Sequence, residues 1–286
     1  MQLRIGLGVS DFGKVRRERL AYVDKSLLIA ALLDDPSEAV LLTRPRRFGK
    51  TLNLSMMRAF FERGTPEDTA ARWGLFADLA IARAAPPARD HFARYPVIAL
   101  SLKDVKTQRW ADCQQALALV IADAFQEHEA LLPSLGGRDG ESFRKILLGT
   151  AEPSLYWGSL RLLSRLLHQA HGQPALLLLD EYDTPLHSAY VHGYYDDAVE
   201  FMRNFLSAGL KDNPHLWKGV LTGVLRVARD SIFSGLNHIS VSSVLSSEYA
   251  SYFGFSEDEV RTLLPAGPEG EAQLAVVRDW YNGYLF

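Results

Sequence analysis

The chain has 286 residues, 48% of them hydrophobic and 23% charged, with a formal net charge of −3, an ordinary composition for a globular protein. That charge excludes a general basic footprint for nucleic acid, and one cysteine, Cys113, excludes a disulfide framework or a thiolate metal cage within one chain. The first twenty residues hold no apolar stretch of signal-peptide length, and the longest apolar runs fall short of the roughly 18–20 residues that span a bilayer, so a cytoplasmic protein with no membrane partner is expected.

Up to about Asp35 the chain reads as a short irregular segment followed by a helix. In "DKSLLIAALL", Asp24 or Ser26 is placed to cap, and Leu27, Leu28, Ala31 and Leu32 recur at helical spacing. Ala39 to Leu42 form a short apolar run, read as a buried strand. After an arginine-rich loop, "TLNLSMMRAFFERG" sets Leu52, Met56 and Phe60 at i, i+4, i+8, with Met57 and Phe61 beside them, and stops at Gly64. The order strand, loop, helix is therefore expected around residues 39–64.

Further on, "YPVIALSL" (95–102) is a second strand candidate. Residues 111–132 read as helical, with Leu117, Ile121, Phe125 and Leu132 on one face, and "PSLGGRDGES" reads as a polar, glycine-rich loop. "SLYWGSLRLLSRLLHQAHG" is a helix ending at Gly172. "QPALLLLDEYD" is the clearest strand, apolar from Ala175 to Leu179, as expected where both faces are covered. A helix over about 196–210 and a strand in "LWKGVLTGVLRV" follow. Short apolar strands separated by helices predict a mainly parallel α/β sheet. From about Phe253 the signals turn helical, which places a soft boundary between a domain of residues 1–250 and the start of a helical region at 251–286.

The loop "RPRRFGKT" closes with Gly49-Lys50-Thr51, the end of a phosphate-binding (Walker A) loop, but Arg44 stands where the first glycine of that motif belongs. Such loops work because successive backbone amides and a helix N-terminus surround the anion. In this reading Arg46, Arg47, Phe48, Gly49, Lys50, Thr51 and Leu52 bind the nucleotide. Lys50 reaches the β- and γ-phosphates, and the Thr51 hydroxyl binds Mg²⁺. Pro45 fixes its own φ and biases Arg44 toward extended geometry. The bland alternative is a solvated basic turn. The apolar strand ending in Asp180-Glu181 matches the second half of the constellation, the Walker B pattern, with Asp180 holding the hydrated Mg²⁺ and Glu181 polarising the attacking water. Asp183, in "YDTP", reads first as a turn residue and second as an outer partner of the metal. Near the next strand end, Thr222, Arg226 and Arg229 are polar, and Arg226 is the first candidate to sense the γ-phosphate, against an ordinary ion-paired arginine.

The segments "YVDKSLLIAALL", "TRPRRFGKTLNLSMM", "LLLLDEYDTPLH" and "LTGVLRVARDSIFSGLN" together resemble the prokaryotic AAA-ATPase-like family, P-loop ATPases often fused to a C-terminal restriction-endonuclease-like domain. The resemblance runs from about Gly8 through "FGFSEDEV" and "WYNGYLF". It implies a P-loop NTPase fold of the additional-strand type, with a strand between those carrying Walker A and Walker B, and a loop that lacks the first glycine as the family's own form. It also implies Lys50 and Thr51 on phosphate and Mg²⁺, Asp180 and Glu181 on metal and water, and an N-terminal segment (1–35) packing near the nucleotide through Asp11, Phe12 or Tyr22. No Glu is followed two residues later by Lys, so the sequence shows no nuclease pattern of that kind, and the chain is read as the ATPase portion.

Other chemistries find less support. His168 and His171 sit at i, i+3, and His187 lies near His192, but there is no H-E-x-x-H and no G-x-S-x-G. Tyr190, Tyr194 and Tyr195 suit helix packing better than base stacking. Arg16, Arg17 and Arg19 suit a solvated helix face better than a nucleic-acid contact. The expectation is a Mg²⁺-dependent ATPase that switches conformation, possible partners being a second protein or another copy of the chain, with nucleic acid involved only indirectly. A nucleotide-binding switch with little turnover is the alternative.

Overall fold

A computed structural model describes residues 4–84, 87–225 and 239–281. In chain order the elements are α1 (Phe12–Arg17), α2 (Leu27–Asp34), β1 (Ala39–Thr43), α3 (Lys50–Phe61), α4 (Pro66–Trp73), α5 (Ala80–Arg83), α6 (Pro87–Asp90), β2 (Val97–Ser101) and α7 (Trp110–Gln126). They continue with α8 (Gly137–Leu147), α9 (Pro153–Trp157), α10 (Ser159–His171), β3 (Ala175–Asp180), α11 (Thr184–His192), α12 (Tyr195–Leu210), β4 (Leu216–Gly223), β5 (Ile239–Ser242), α13 (Glu257–Leu263) and α14 (Pro268–Tyr281). Among the described residues no helix is long and apolar enough to cross a membrane.

The five strands form one all-parallel sheet in the order β2-β3-β4-β1-β5. Since β4 lies between β1 and β3, this is the additional-strand arrangement. Every residue of β1 and β3 is buried, because helices cover both faces. Side chains alternate along each strand, so one set of neighbours faces each layer. Ala39, Leu41, Leu177, Leu179 and Leu221 pack against α7, α10 and α12 through Leu117, Leu163 and Phe205. Val40, Leu42, Leu176, Leu178 and Val220 face the other layer, with Phe12, Leu28, Met56, Met57, Phe60 and Phe61.

Several elements depart from the expectations. In α2 the buried residues are Leu28, Ile29 and Leu32, while Leu27 is exposed, and neither Asp24 nor Ser26 caps the helix through its side chain. Asp24 instead accepts from the amides of Ser26 and Ala80. The helix after the loop ends at Phe61, short of Gly64, where Glu62 is already extended. The helix expected over 111–132 stops at Gln126 and yields to a tight 3₁₀ turn at Glu129–Ser134. The stretch read as the loop "PSLGGRDGES" contains the start of α8, whose Phe143 and Ile146 are buried. Gly158 divides the predicted helix before β3 into α9 and α10, and Gly172, at φ 65°, ends α10 in the left-handed conformation that only glycine adopts freely. The short stretch "ISVS" contributes β5, an edge strand.

Candidate functional site

Parallel pairing ends β1, β3 and β4 at the same edge of the sheet, where Thr43 pairs with Gly223 and Leu179 with Leu221. Folds of this kind bind ligands at such an edge. The ladder continues one residue into the 44–51 loop, where the Arg44 amide donates to Gly223 O at 3.1 Å. The loop then turns through left-handed conformations at Arg47 (φ 69°) and Gly49 (φ 81°), the kind of alternation that lets successive amides converge on an anion. An added Cβ at Gly49 would meet nothing within 4 Å, so glycine serves the backbone angle there rather than close packing. Gly49 is also the N-cap of α3, with no side chain covering the first amides of that helix.

Lys50, at the start of α3, is only 5% exposed. Its Nζ donates to Arg44 O (3.0 Å) and Pro45 O (2.9 Å), bridging the carbonyls of the loop entrance. Burial lowers its pKa below the usual 10.5, against the attraction of Glu181, Asp180 and Asp183, which raises it. The next residue, Thr51, donates from Oγ1 to Asp180 Oδ2 at 2.6 Å. Thr222, the penultimate residue of β4, donates to Asp180 Oδ1 at 2.5 Å. The buried Asp180 carboxylate is therefore held by one hydroxyl on each oxygen, from two different elements.

Glu181 follows with φ 51°, a left-handed conformation that costs a non-glycine residue on the order of 1–3 kcal/mol. Its Oε2 accepts from Thr184 Oγ1 at 3.2 Å. Asp183 is not merely a turn residue: its Oδ2 accepts from the amides of Val224 (2.9 Å) and Leu225 (2.6 Å). Arg46 and Arg47 are exposed at the loop surface, while Phe48 and Leu52 are half-buried and pack against the apolar layer on the α3 side. Arg226 and Arg229 lie outside the described residues.

Arg44 plays a part that its sequence position did not signal. It is 1% exposed, and its guanidinium donates to Ser242 O (2.8 Å), Thr43 O (2.9 Å), Ser242 Oγ (3.1 Å) and Glu248 O (3.4 Å) while lying 5.0 Å from the Phe253 ring centre. Further bonds fasten the segment after β5 to the loop and to α3: Gly254 N donates to Phe48 O (3.1 Å) and Asn53 Nδ2 to Tyr252 O (2.9 Å). Lys25 bonds to both Ser251 O and Glu259. The N-terminal segment packs on α3 itself. Phe12 is fully buried, its amide donating to Ser55 Oγ, and Tyr22 hydrogen-bonds Met56 Sδ, while Asp11 caps α1.

The remaining candidates are dispersed. His168 and His215 share a hydrogen bond between Nδ1 atoms at 3.1 Å, and among the described residues no group of three or more His, Cys, Asp or Glu is arranged to hold a metal. Tyr194 is buried with its hydroxyl on Thr107, whereas Tyr190 is exposed.

A five-stranded parallel sheet with a strand inserted between β1 and β3 defines an α/β protein of the P-loop NTPase type. The family described as "Predicted AAA-ATPase" matches residues 6–233, and the chain belongs to that family. It is also similar to an uncharacterized protein in the vnfD 5′ region of Azotobacter chroococcum mcd 1, at 27% identity over 98% of this chain. The chain spans about half the length (48%) of that curated relative.

Proposed function

We propose that this chain binds Mg²⁺-ATP at the 44–51 loop and hydrolyses it. The observation that carries this reading is the meeting of Thr51, Asp180 and Thr222 beside the buried Lys50 ammonium, at the C-terminal edge of a parallel sheet. The N-terminal turn of α3 and the loop amides supply the setting for phosphate, and Lys50 supplies a cation for its developing charge. One hydroxyl and one carboxylate suit a magnesium ion, which keeps several waters and takes few protein donors. In the bound state Thr51 and Asp180 would hold the ion, which would neutralise phosphate charge. Glu181, the residue that follows β3, accepts a hydrogen bond from the Thr184 hydroxyl and is the residue to orient the attacking water. Reliance on ATP suits a cytoplasmic setting.

Glu181→Gln tests this assignment. The variant keeps the side chain's shape and should bind ATP within about threefold of the wild type while losing turnover by at least about 10²-fold. Equal turnover in the two would remove Glu181 from the mechanism.

A second reading, a nucleotide-held switch with slow turnover, is favoured by the bonds from Arg44, Phe48, Asn53 and Lys25 to residues 242–259. They tie the loop and α3 to the segment that runs from β5 into α13, and Lys25 holds α13 itself at Glu259, so a protein partner or a second copy of the chain could read the bound state there.

A further inference from the structure

One buried carboxylate beside the site has no part in the chemistry above. Asp183 is 4% exposed and occupies the N-cap position of α11, yet makes no capping bond to its own helix. An N-cap aspartate ordinarily accepts from an amide in its own first turn. Here Oδ2 accepts from Val224 N and Leu225 N, at 2.9 and 2.6 Å, 41 and 42 residues further along. Tyr182, fully buried beside it, donates its hydroxyl to Leu225 O (2.8 Å) and its amide to Thr222 O (3.0 Å). Two consecutive residues thus grip the end of β4 at two amides and two carbonyls.

Gly223 makes the approach possible. A Cβ there would stand 2.7 Å from Asp183 Oδ1 and from Tyr182 Cε1. The opposite side of the same turn is bonded to the 44–51 loop, through Arg44 N to Gly223 O, and the turn carries Thr222, which donates to Asp180.

We propose that Asp183, backed by Tyr182, is a positioning residue for ATP hydrolysis. Its carboxylate fixes the turn that leaves β4, and through that turn fixes Thr222 against Asp180 and β4 against the loop. This rests on the ATPase reading given above. A carboxylate on two successive amides is a charge-assisted hold with a set direction. Without it two partly buried amides lose their acceptor and the strand end is free to shift, and a displacement of about 1 Å near reacting groups costs on the order of 10²-fold in rate.

The test compares Asp183→Ala, Asp183→Asn and Tyr182→Phe with the wild type in steady-state ATP hydrolysis, ATP binding and amide hydrogen exchange at Val224 and Leu225. Asparagine keeps a carbonyl oxygen able to accept from the same amides. Asp183→Ala should lower kcat by about 10- to 100-fold with ATP Kd changed less than about threefold, and should speed exchange at Val224 and Leu225. Asp183→Asn should restore both to within about fivefold, and Tyr182→Phe should lower kcat about two- to fivefold at unchanged Kd. Should Asp183→Ala fail to fold, the other two variants carry the test, since slow exchange and full activity in the asparagine variant with reduced kcat in the phenylalanine variant support the clamp. Asp183→Ala turning over normally, or Asp183→Asn as inactive as alanine while its amides stay protected, overturns it. A wild-type chain without turnover overturns the ATPase reading itself, which these variants do not address.

Discussion

Thr51 donates to Asp180 across 129 residues of sequence, from the first turn of α3 to the last residue of β3. Neither side chain has a long reach, so the bond fixes the helix start and the strand end at one separation. Replacing the hydroxyl by a methyl group keeps the shape and removes the donor. Thr51→Val should therefore leave the fold intact and raise the Mg²⁺ concentration needed for half-maximal ATP hydrolysis by at least about tenfold, the scale of losing a partner at a metal site. Titration of Mg²⁺ at saturating ATP checks it, and an unchanged requirement would remove Thr51 from the metal.

Arg44 ties the edge strand to the loop. It carries a buried charge, and among the described residues no carboxylate lies within ion-pair distance, its partners being carbonyls, the Ser242 hydroxyl and the Phe253 ring. Arg44→Met fills much of the same volume but leaves buried carbonyl groups without donors, at a cost of about 1–3 kcal/mol. We expect a lowered urea midpoint and faster amide exchange at residues 239–242, with the exchange at β3 unaffected except through global unfolding.

Lys50 gives the site a pH signature. Burial places its folded pKa below 10.5, so between the two values the unfolded chain binds more protons than the folded one. Stability contributed by this residue therefore rises with pH in that window, because the cost of burying the ammonium is relieved. ATP affinity has the opposite sign, since deprotonation removes the cation that faces phosphate. Measured as Kd against pH, the wild type should lose affinity at a pH below that of an ordinary lysine, and Lys50→Met should bind weakly throughout without that limb.

Gly223 is confined by Tyr182 and Asp183. Gly223→Ala should destabilise the chain by about 1–3 kcal/mol, the usual cost of overpacking, seen as a lower denaturant midpoint at unchanged slope. A neutral substitution would show that the strand end is looser than its contacts imply.

Some of this was legible in the residues and some was not. β1 and β3 announce themselves because strands covered on both faces need unbroken apolar runs, and α3 because Met56, Met57, Phe60 and Phe61 recur at helical spacing. The pairing of Thr51 with Asp180 could be anticipated once both were placed at strand ends of one parallel sheet. β5 could not, since "ISVS" is only four residues long and half of it is serine. α8 was hidden by Gly137 and Gly140, and the second is there because a Cβ would stand 2.8 Å from Leu135 O. Arg44 read as part of a basic loop, and nothing local distinguishes a guanidinium bound for Ser242 from one bound for solvent. Asp183 looked like a turn because its partners are backbone amides, which have no sequence signature, supplied by a strand end 41 residues away.

The most direct measurement is phosphate release from Mg²⁺-ATP by the purified chain, set beside Lys50→Ala, with ATP binding measured on both. The account predicts release by the wild type, its loss in Lys50→Ala by at least about 10²-fold, and weakened binding in that variant. A wild-type chain that does not bind ATP, or a Lys50→Ala chain that releases phosphate at the wild-type rate, would contradict it.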